Sequence, residues 1–128
     1  MKNKLLGTGE KGFRPVRKIK IALKGLYLAI VFDVSVSSKV ILSTVVLAVF
    51  VYVNQWIDFT IVLVATCIMI TAEIFNTAIE MLCDFIEEKE NEKIGMIKDM
   101  LAGGVGLSIF TWYVVIALES YKIYRLLF

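Results

Sequence analysis

A long apolar segment that carries acidic side chains is the feature that most limits what this chain can fold into. The sequence is almost continuously apolar from Phe59 to Ile70, and residues 59–79 are long enough to cross a bilayer as one helix, about 20 residues at ~1.5 Å each. Glu73 and Glu80 nevertheless lie at the far end of this run. A carboxylate at membrane depth is costly unless it is paired, protonated or bound to a metal, so the segment indicates a functional site.

The polar residues of this segment share one helical face. A helix turns by about 100° per residue, and this rotation brings Glu73, Asn76, Glu80 and Asp84 into one narrow arc. The apolar residues between them point in other directions. We therefore expect one face of a membrane helix to carry a column of carboxylates with an amide among them.

The composition favours a membrane protein. Of the 128 residues, 59% are hydrophobic, whereas soluble chains contain about 45–50%. Eight of the fourteen Lys and Arg residues precede residue 25, whereas the acids gather between residues 73 and 99. The chain has no histidine, which excludes an imidazole base or metal ligand. We expect no cleavable signal peptide and no nucleic-acid partner.

Apolar runs predict three transmembrane helices, at about residues 35–54, 59–80 and 100–118. Residues 13–32 precede them and combine apolar residues at helical spacing with many basic residues. This pattern predicts an amphipathic helix on an anionic membrane surface, although a basic cluster that only sets the topology is an alternative. The predicted fold is an all-α membrane protein of one domain, residues 1–128.

The distribution of basic residues predicts the orientation in the membrane. Positive charge favours the cytoplasmic side, which places the N-terminus there. With three spans, the 84–99 loop is cytoplasmic as well and the C-terminus lies outside. This topology brings the informative polar residues to one membrane face: Asp33, Glu73, Asn76, Glu80, Asp84, Lys98 and Asp99.

These residue types suit phosphoryl transfer. Asp33 and Glu80 offer the hard oxygen ligands that Mg²⁺ uses together with substrate phosphates. Glu73 lies deeper than Glu80 by about 10 Å along a helix, where it can accept a proton from a lipid hydroxyl. Lys98 can neutralise phosphate charge, and positioning with electrostatics is what phosphoryl transfer from a nucleotide requires. No glycine-rich phosphate loop of the known types is present.

Other functions remain open from the residues alone. Glu73 and Asn76 can serve as polar contacts between helices, and intramembrane acids also mark transport and proton-relay pathways. In either case we expect an oligomer with the Glu73 column facing inward, where Asn76 and a neighbouring subunit satisfy the carboxylate.

The segment from Glu73 to Glu80, with Asp84 and the later sequence from Lys98 to Gly103, resembles the prokaryotic diacylglycerol kinase family, which includes undecaprenol kinases. The resemblance extends from about residue 13 to residue 118 and includes Asp33, eight residues after Gly25. It implies a homotrimer of three-span subunits in the bacterial inner membrane. It also implies that MgATP phosphorylates a lipid alcohol, with diacylglycerol and undecaprenol as the alternatives.

The resemblance also implies roles for individual residues. Glu73 becomes the catalytic base and contacts the lipid, and Asp33 and Glu80 become the metal ligands. Asp33 is a departure, because the family usually has Glu at this position, and the glycine-rich stretch 103–106 is another. The residues implied to lie near ATP and its phosphates are Asn76, Glu80, Asp84, Lys98, Asp99 and Asp33, and those implied to contact lipid are Arg14 and Ala102.

Overall fold

The computed structural model describes residues 14–128, which form four α-helices and no strand. The helices are α1 (Pro15–Phe32), α2 (Val34–Tyr52), α3 (Trp56–Ile86) and α4 (Glu92–Leu127). The predicted all-α fold is confirmed for this part of the chain. Residue 13, where the predicted surface helix begins, lies outside the described residues.

Three of the helices are long and apolar enough to cross a membrane, as predicted. α2, α3 and α4 contain 19, 31 and 36 residues, which corresponds to lengths of about 28, 46 and 54 Å at ~1.5 Å per residue. Because the hydrocarbon core is about 30 Å thick, α3 and α4 extend beyond it. Both helices contain the predicted spans, whereas α2 ends two residues before the predicted boundary. The positions of the bilayer surfaces stay a prediction.

Asp33 forms the junction between α1 and α2. Its carboxylate Oδ1 accepts hydrogen bonds from the backbone N–H groups of Ser35 (2.9 Å) and Val36 (3.3 Å). These bonds satisfy donors that the first turn of a helix leaves without partners, which is the role of an N-cap. A single residue thus ends one helix and starts the next, and its side chain is held at this corner.

Asn54 forms the turn between α2 and α3. Its φ angle is 56°, the left-handed conformation that asparagine tolerates better than most residues. The N–H of Gln55 donates to the carbonyl of Phe50 (3.0 Å), and the N–H of Asn54 donates to that of Val51 (3.2 Å). This is the Schellman pattern, which ends α2 and lets α3 return antiparallel to it.

The core lies where α2, α3 and α4 meet. Trp112 is fully buried, and the side chain of Phe50 is almost so. The apolar side chains that pack there come from all three helices: Val46, Phe50, Val62, Met69, Trp112 and Ile116.

A cluster of hydrogen bonds joins the same three helices. The Trp112 indole N–H donates to Ser43 Oγ (3.1 Å) and Thr66 Oγ1 (3.2 Å), and the Thr66 hydroxyl lies 3.0 Å from that of Ser43. Each helix contributes one of these buried side chains. Interhelical hydrogen bonds of this kind hold membrane helices together, because lipid provides no hydrophobic drive for their association.

α1 lies outside this core. It packs against α2 but buries none of its residues. Val16, Ile19 and Leu23, on its predicted apolar side, are each more than half exposed. The predicted helix is therefore present, and its orientation on a membrane surface stays a prediction.

Candidate active site

Glu73 is buried between α2 and α3. Only 6% of the residue is exposed, and its carboxylate Oε1 accepts hydrogen bonds from Lys39 Nζ (2.6 Å) and Ser35 Oγ (3.4 Å). Lys39 is itself 8% exposed, so the two residues form a buried ion pair. The ammonium group compensates for the burial of the carboxylate charge, which otherwise is expensive.

Asn76 is not the partner of Glu73 within the chain, contrary to expectation, and a contact from a neighbouring subunit stays a prediction. Lys39 and Ser35 of the same chain fill that role, whereas the Asn76 amide donates to Glu80 Oε1 at 3.1 Å. The physical reason is helical spacing, because residues four apart lie above one another on α3. Lys39 carried a signal that sequence reasoning missed: a lysine inside a predicted span requires a counter-ion.

Asp33 lies against α3 about one turn before Glu80. Thr77 Oγ1 is 3.3 Å from Asp33 Oδ2, and Thr77 precedes Glu80 by three residues, so the two are neighbours on the helix surface. The second carboxylate oxygen of Asp33, which is not used in capping α2, therefore points towards the turn of α3 that carries Glu80.

The residues at this corner have the donor chemistry that magnesium prefers. No group of three or more His, Cys, Asp or Glu side chains with metal-binding geometry occurs in residues 14–128. Mg²⁺ does not need one, because it commonly binds through one or two carboxylates and completes its shell with phosphate oxygens and water. Asp33 and Glu80 supply hard oxygen donors of this kind, with Glu80 oriented by the Asn76 amide.

Asn76 leaves one polar atom without a partner. Its Oδ1 is buried and accepts no hydrogen bond from residues 14–128. Asn76 also lines a cavity of about 510 Å³ between α3 and α4, among mainly apolar side chains. A buried acceptor without a donor is costly, and a bound molecule that donates to it removes this cost.

Asp84, near the end of α3, and Lys98, near the start of α4, connect the two helices. Their side chains form an ion pair at 2.5 Å, and both groups are partly exposed. The hydrogen bond that Lys98 donates to the Asp84 carboxylate holds the pKa of the ammonium group above its ordinary value of 10.5. Lys98 is therefore a permanent cation at neutral pH, next to the exposed Asp99.

The predicted site residues fall into three groups. Asp33, Glu73, Asn76 and Glu80 lie along the contact between the start of α2 and the second half of α3. Asp84 and Lys98 form the neighbouring pair beyond them, with the exposed Asp99 next to Lys98 in the chain. Arg14 and Ala102 are exposed, and no hydrogen bond or ion pair within residues 14–128 joins either of them to Glu73.

The fold and the site together define a class of protein, a helical membrane protein with buried charged groups between its spans. A family model, prokaryotic diacylglycerol kinase, matches residues 20–119, which is well over half of the 128 residues. The chain belongs to this family. Membership implies lipid kinase activity in general and ATP as the phosphoryl donor. Searches of curated proteins and of solved structures found no match.

Proposed function

We propose that this protein transfers the γ-phosphoryl group of ATP to the hydroxyl of a membrane lipid alcohol, with Glu73 as the general base. The observation that carries the proposal is the position of Glu73, a carboxylate buried among membrane helices in a chain of a lipid kinase family. A base at this depth meets a lipid hydroxyl without requiring the lipid to leave the bilayer. General-base assistance contributes about 10²–10⁴ in rate.

The nucleotide phosphates belong, in this proposal, at the corner formed by Asp33 and Glu80. Both side chains are suited to hold Mg²⁺, which when bound neutralises charge on the phosphates and orients them. Thr77 and Asn76 support the two carboxylates by hydrogen bonds. The cationic Lys98 and the neighbouring Asp99 lie on α4 next to Asp84, where Lys98 is placed to attract phosphate charge.

Glu73 and Glu80 have separate tasks in this scheme. They lie seven residues apart on α3, a separation of about 10 Å along the helix axis. The deeper carboxylate handles the proton of the lipid hydroxyl, and the shallower one handles the phosphates. The two charges therefore do not compete for one ion.

The lipid substrate is an alcohol of the diacylglycerol or undecaprenol type, and the active form is a homotrimer in the bacterial inner membrane with α1 on the cytoplasmic surface. The family supports a prokaryotic membrane lipid kinase. Arg14 and Ala102 are the proposed lipid contacts, and both are exposed to incoming lipid in the single chain.

One assay tests the reaction class. Purified protein in detergent receives MgATP with diacylglycerol or with undecaprenol, and lipid-dependent ADP release is followed together with the lipid phosphate formed. We expect one of the two lipids to be converted at a rate well above the lipid-free background.

A transporter that uses the Lys39–Glu73 pair as a proton relay is the second candidate, because buried ionisable pairs in membranes also occur along ion pathways. Such a protein consumes no ATP and requires a gradient. Proton flux into proteoliposomes without ATP, combined with no lipid phosphate from either alcohol, favours that candidate.

A further inference from the structure

Lys39 is the one lysine of α2, and its ammonium group is fully engaged. It donates to Glu73 Oε1 at 2.6 Å, to the Ser35 carbonyl at 3.3 Å and to Ser35 Oγ. These partners use each of the N–H donors that an ammonium group has. The position of Nζ is therefore fixed by α2 itself, because Ser35 lies one turn before Lys39.

The contacts on Glu73 are asymmetric. Within residues 14–128, both hydrogen bonds to the carboxylate end on Oε1, one from Lys39 and one from Ser35. Oε2 accepts no bond from these residues. A carboxylate held by one oxygen presents the other in a defined direction, which is what proton abstraction from a positioned hydroxyl requires.

Helix cohesion does not account for this ion pair. Ser43, Thr66 and Trp112 already join α2, α3 and α4 by hydrogen bonds among neutral groups. Buried ion pairs stabilise little, because the loss of hydration offsets the attraction between the charges. A lysine inside a membrane span is also costly to insert. The contacts are better explained by an effect on Glu73 than by an effect on stability.

We propose that Lys39 is a positioning residue for catalysis: it fixes Glu73 Oε1 so that Oε2 faces the lipid hydroxyl, and it balances the carboxylate charge in the apolar surroundings. This inference rests on the proposed function, in which Glu73 is the base. Lys39 itself touches neither the lipid nor the nucleotide in this account. Its effect on turnover passes entirely through Glu73.

Substitutions at both ends of the pair test the inference. Lys39→Met removes the ammonium group and keeps a long apolar side chain, whereas Lys39→Arg keeps a cation. Lys122→Met is the matched control, because it also removes a lysine from ion pairs with acids, here Asp58 and Glu119 at the opposite end of the bundle. Lipid-dependent ADP release gives kcat and KM, and calorimetry with a non-hydrolysable MgATP analogue gives nucleotide affinity.

We expect Lys39→Met to lower kcat by about 10- to 100-fold, the loss typical of a misplaced catalytic group, with nucleotide affinity unchanged. Lys39→Arg should recover part of that loss, and Lys122→Met should keep the wild-type kcat. In a Glu73→Gln background, Lys39→Met should change kcat by no more than about 3-fold, because the base through which it acts is already absent.

Two results overturn the inference and leave the proposed function intact. In the first, Lys39→Met keeps the wild-type kcat although Glu73→Gln is impaired. In the second, Lys39→Met lowers kcat by the same factor in the wild-type background and in the Glu73→Gln background. A wild-type kcat for Glu73→Gln overturns the proposed function and the inference together, as does a wild-type protein that phosphorylates neither lipid. If Lys39→Met does not fold, Lys39→Gln replaces it with the same expected loss. The double variant Lys39→Met/Glu73→Gln removes both buried charges, so neither charge is left without a partner.

Discussion

Asp33 shows how one side chain serves both the fold and the proposed chemistry. Oδ1 caps α2 through the N–H groups of Ser35 and Val36, while Oδ2 faces Thr77 on α3. The cap and the proposed metal contact therefore use different oxygens. Capping needs an acceptor but no charge, whereas binding of Mg²⁺ favours the charged carboxylate.

Asp33→Asn separates these two tasks. The amide oxygen still caps α2, so the melting temperature should stay near that of the wild type, whereas Asp33→Ala should cost about 1 kcal/mol through loss of the cap. Both substitutions should raise the Mg²⁺ concentration needed for half-maximal turnover by at least about 10-fold. Asp33→Glu, which restores the residue more common in the family, should retain activity.

Thermal unfolding measures the melting temperature, and lipid-dependent ADP release at a series of Mg²⁺ concentrations measures the Mg²⁺ requirement. An Asp33→Asn protein with the wild-type Mg²⁺ requirement contradicts the assignment of Asp33 as a metal ligand, and Asp33→Glu serves as the control with its charge intact.

The sequence predicted the positions of the acidic side chains better than it predicted which residues they contact. The column on α3 follows from helical rotation alone, so Glu73, Asn76 and Glu80 could be placed on one face without a structure. The partner of Glu73 depends on how α2 is rotated against α3. α2 is apolar almost all round, and no periodic pattern fixed which side of it faces α3, so Lys39 was not recognised.

At the scale of the helices, the hydrogen bonds among Ser43, Thr66 and Trp112 define how the three spans meet. Thr66 is buried, and its hydroxyl contacts both other members of the cluster. Thr66→Val keeps the shape of the side chain and removes the hydroxyl. We expect a loss of about 0.6 kcal/mol in stability, with ~1.7 kcal/mol as the upper end seen for such bonds.

Unfolding of the Thr66→Val protein in mixed micelles measures this difference. Thr60→Val, at an exposed position six residues earlier on α3, is the matched control and should leave stability nearly unchanged. Equal stability of the Thr66→Val protein and the wild type contradicts the structural role of the cluster.

The far end of the bundle carries a second charged group, formed by Asp58, Glu119 and Lys122. Lys122 Nζ lies 3.0 Å from Asp58 Oδ1 and 2.9 Å from Glu119 Oε1. The hydrogen bond from Lys122 holds the pKa of Asp58 below its ordinary 3.8. Hydrogen bonds to Glu119 and Asp58 in turn hold the pKa of Lys122 above its ordinary 10.5.

These shifts predict a pH dependence of stability. A lowered carboxyl pKa means that the Asp58 contribution is present above pH 3.8 and is lost as the pH falls through the folded-state value. A raised ammonium pKa means that the Lys122 contribution is present below pH 10.5 and is lost as the pH rises through the folded-state value. The difference in melting temperature between wild type and Lys122→Met should therefore be constant between these limits and shrink beyond each.

Lys89→Met is the control for this comparison, because Lys89 is exposed in the loop between α3 and α4. The difference in melting temperature between Lys89→Met and the wild type should stay constant over the whole pH range. If the difference in melting temperature between wild type and Lys122→Met does not change outside pH 3.8–10.5, the ion pairs of Lys122 with Asp58 and Glu119 do not contribute to stability as described.

α3 and α4 are longer than the apolar runs predict, for a physical reason. Hydropathy identifies the part of a helix that lies in the hydrocarbon, whereas hydrogen bonding continues into water as long as the ends are satisfied. α4 begins at the Asn91 cap, whose side chain accepts from the N–H groups of Lys93 and Ile94. It carries Glu92 in its first turn and Arg125 in its last, which suits the helix dipole.

At the scale of the whole molecule, the single chain leaves much apolar surface exposed. A Cβ added at Gly103, Gly104 or Gly106 would meet no atom within 4 Å, so close packing inside the chain does not require glycine at these positions of α4. Small residues allow close helix approach in membranes. The three spans and the family follow from sequence, whereas the homotrimer depends on contacts between subunits and stays a prediction.

The antiparallel arrangement of α3 and α4 gathers the candidate catalytic residues at one end of the bundle and the Asp58–Glu119–Lys122 group at the other. Asp33, Glu80 and the Asp84–Lys98 pair all lie at the first end, as the topology prediction expected of residues on one membrane face. Which end faces the cytoplasm stays a prediction.

The role of Glu73 as the general base is tested most directly by a paired measurement on wild type and Glu73→Gln: lipid-dependent ADP release, and binding of a non-hydrolysable MgATP analogue. Glutamine keeps the shape of the side chain and its ability to hydrogen-bond, but it does not accept the proton. We expect turnover to fall at least about 100-fold, whereas nucleotide affinity should be unchanged. Wild-type turnover by Glu73→Gln contradicts the role of Glu73 as the general base, and a wild-type protein that binds no nucleotide contradicts the kinase activity.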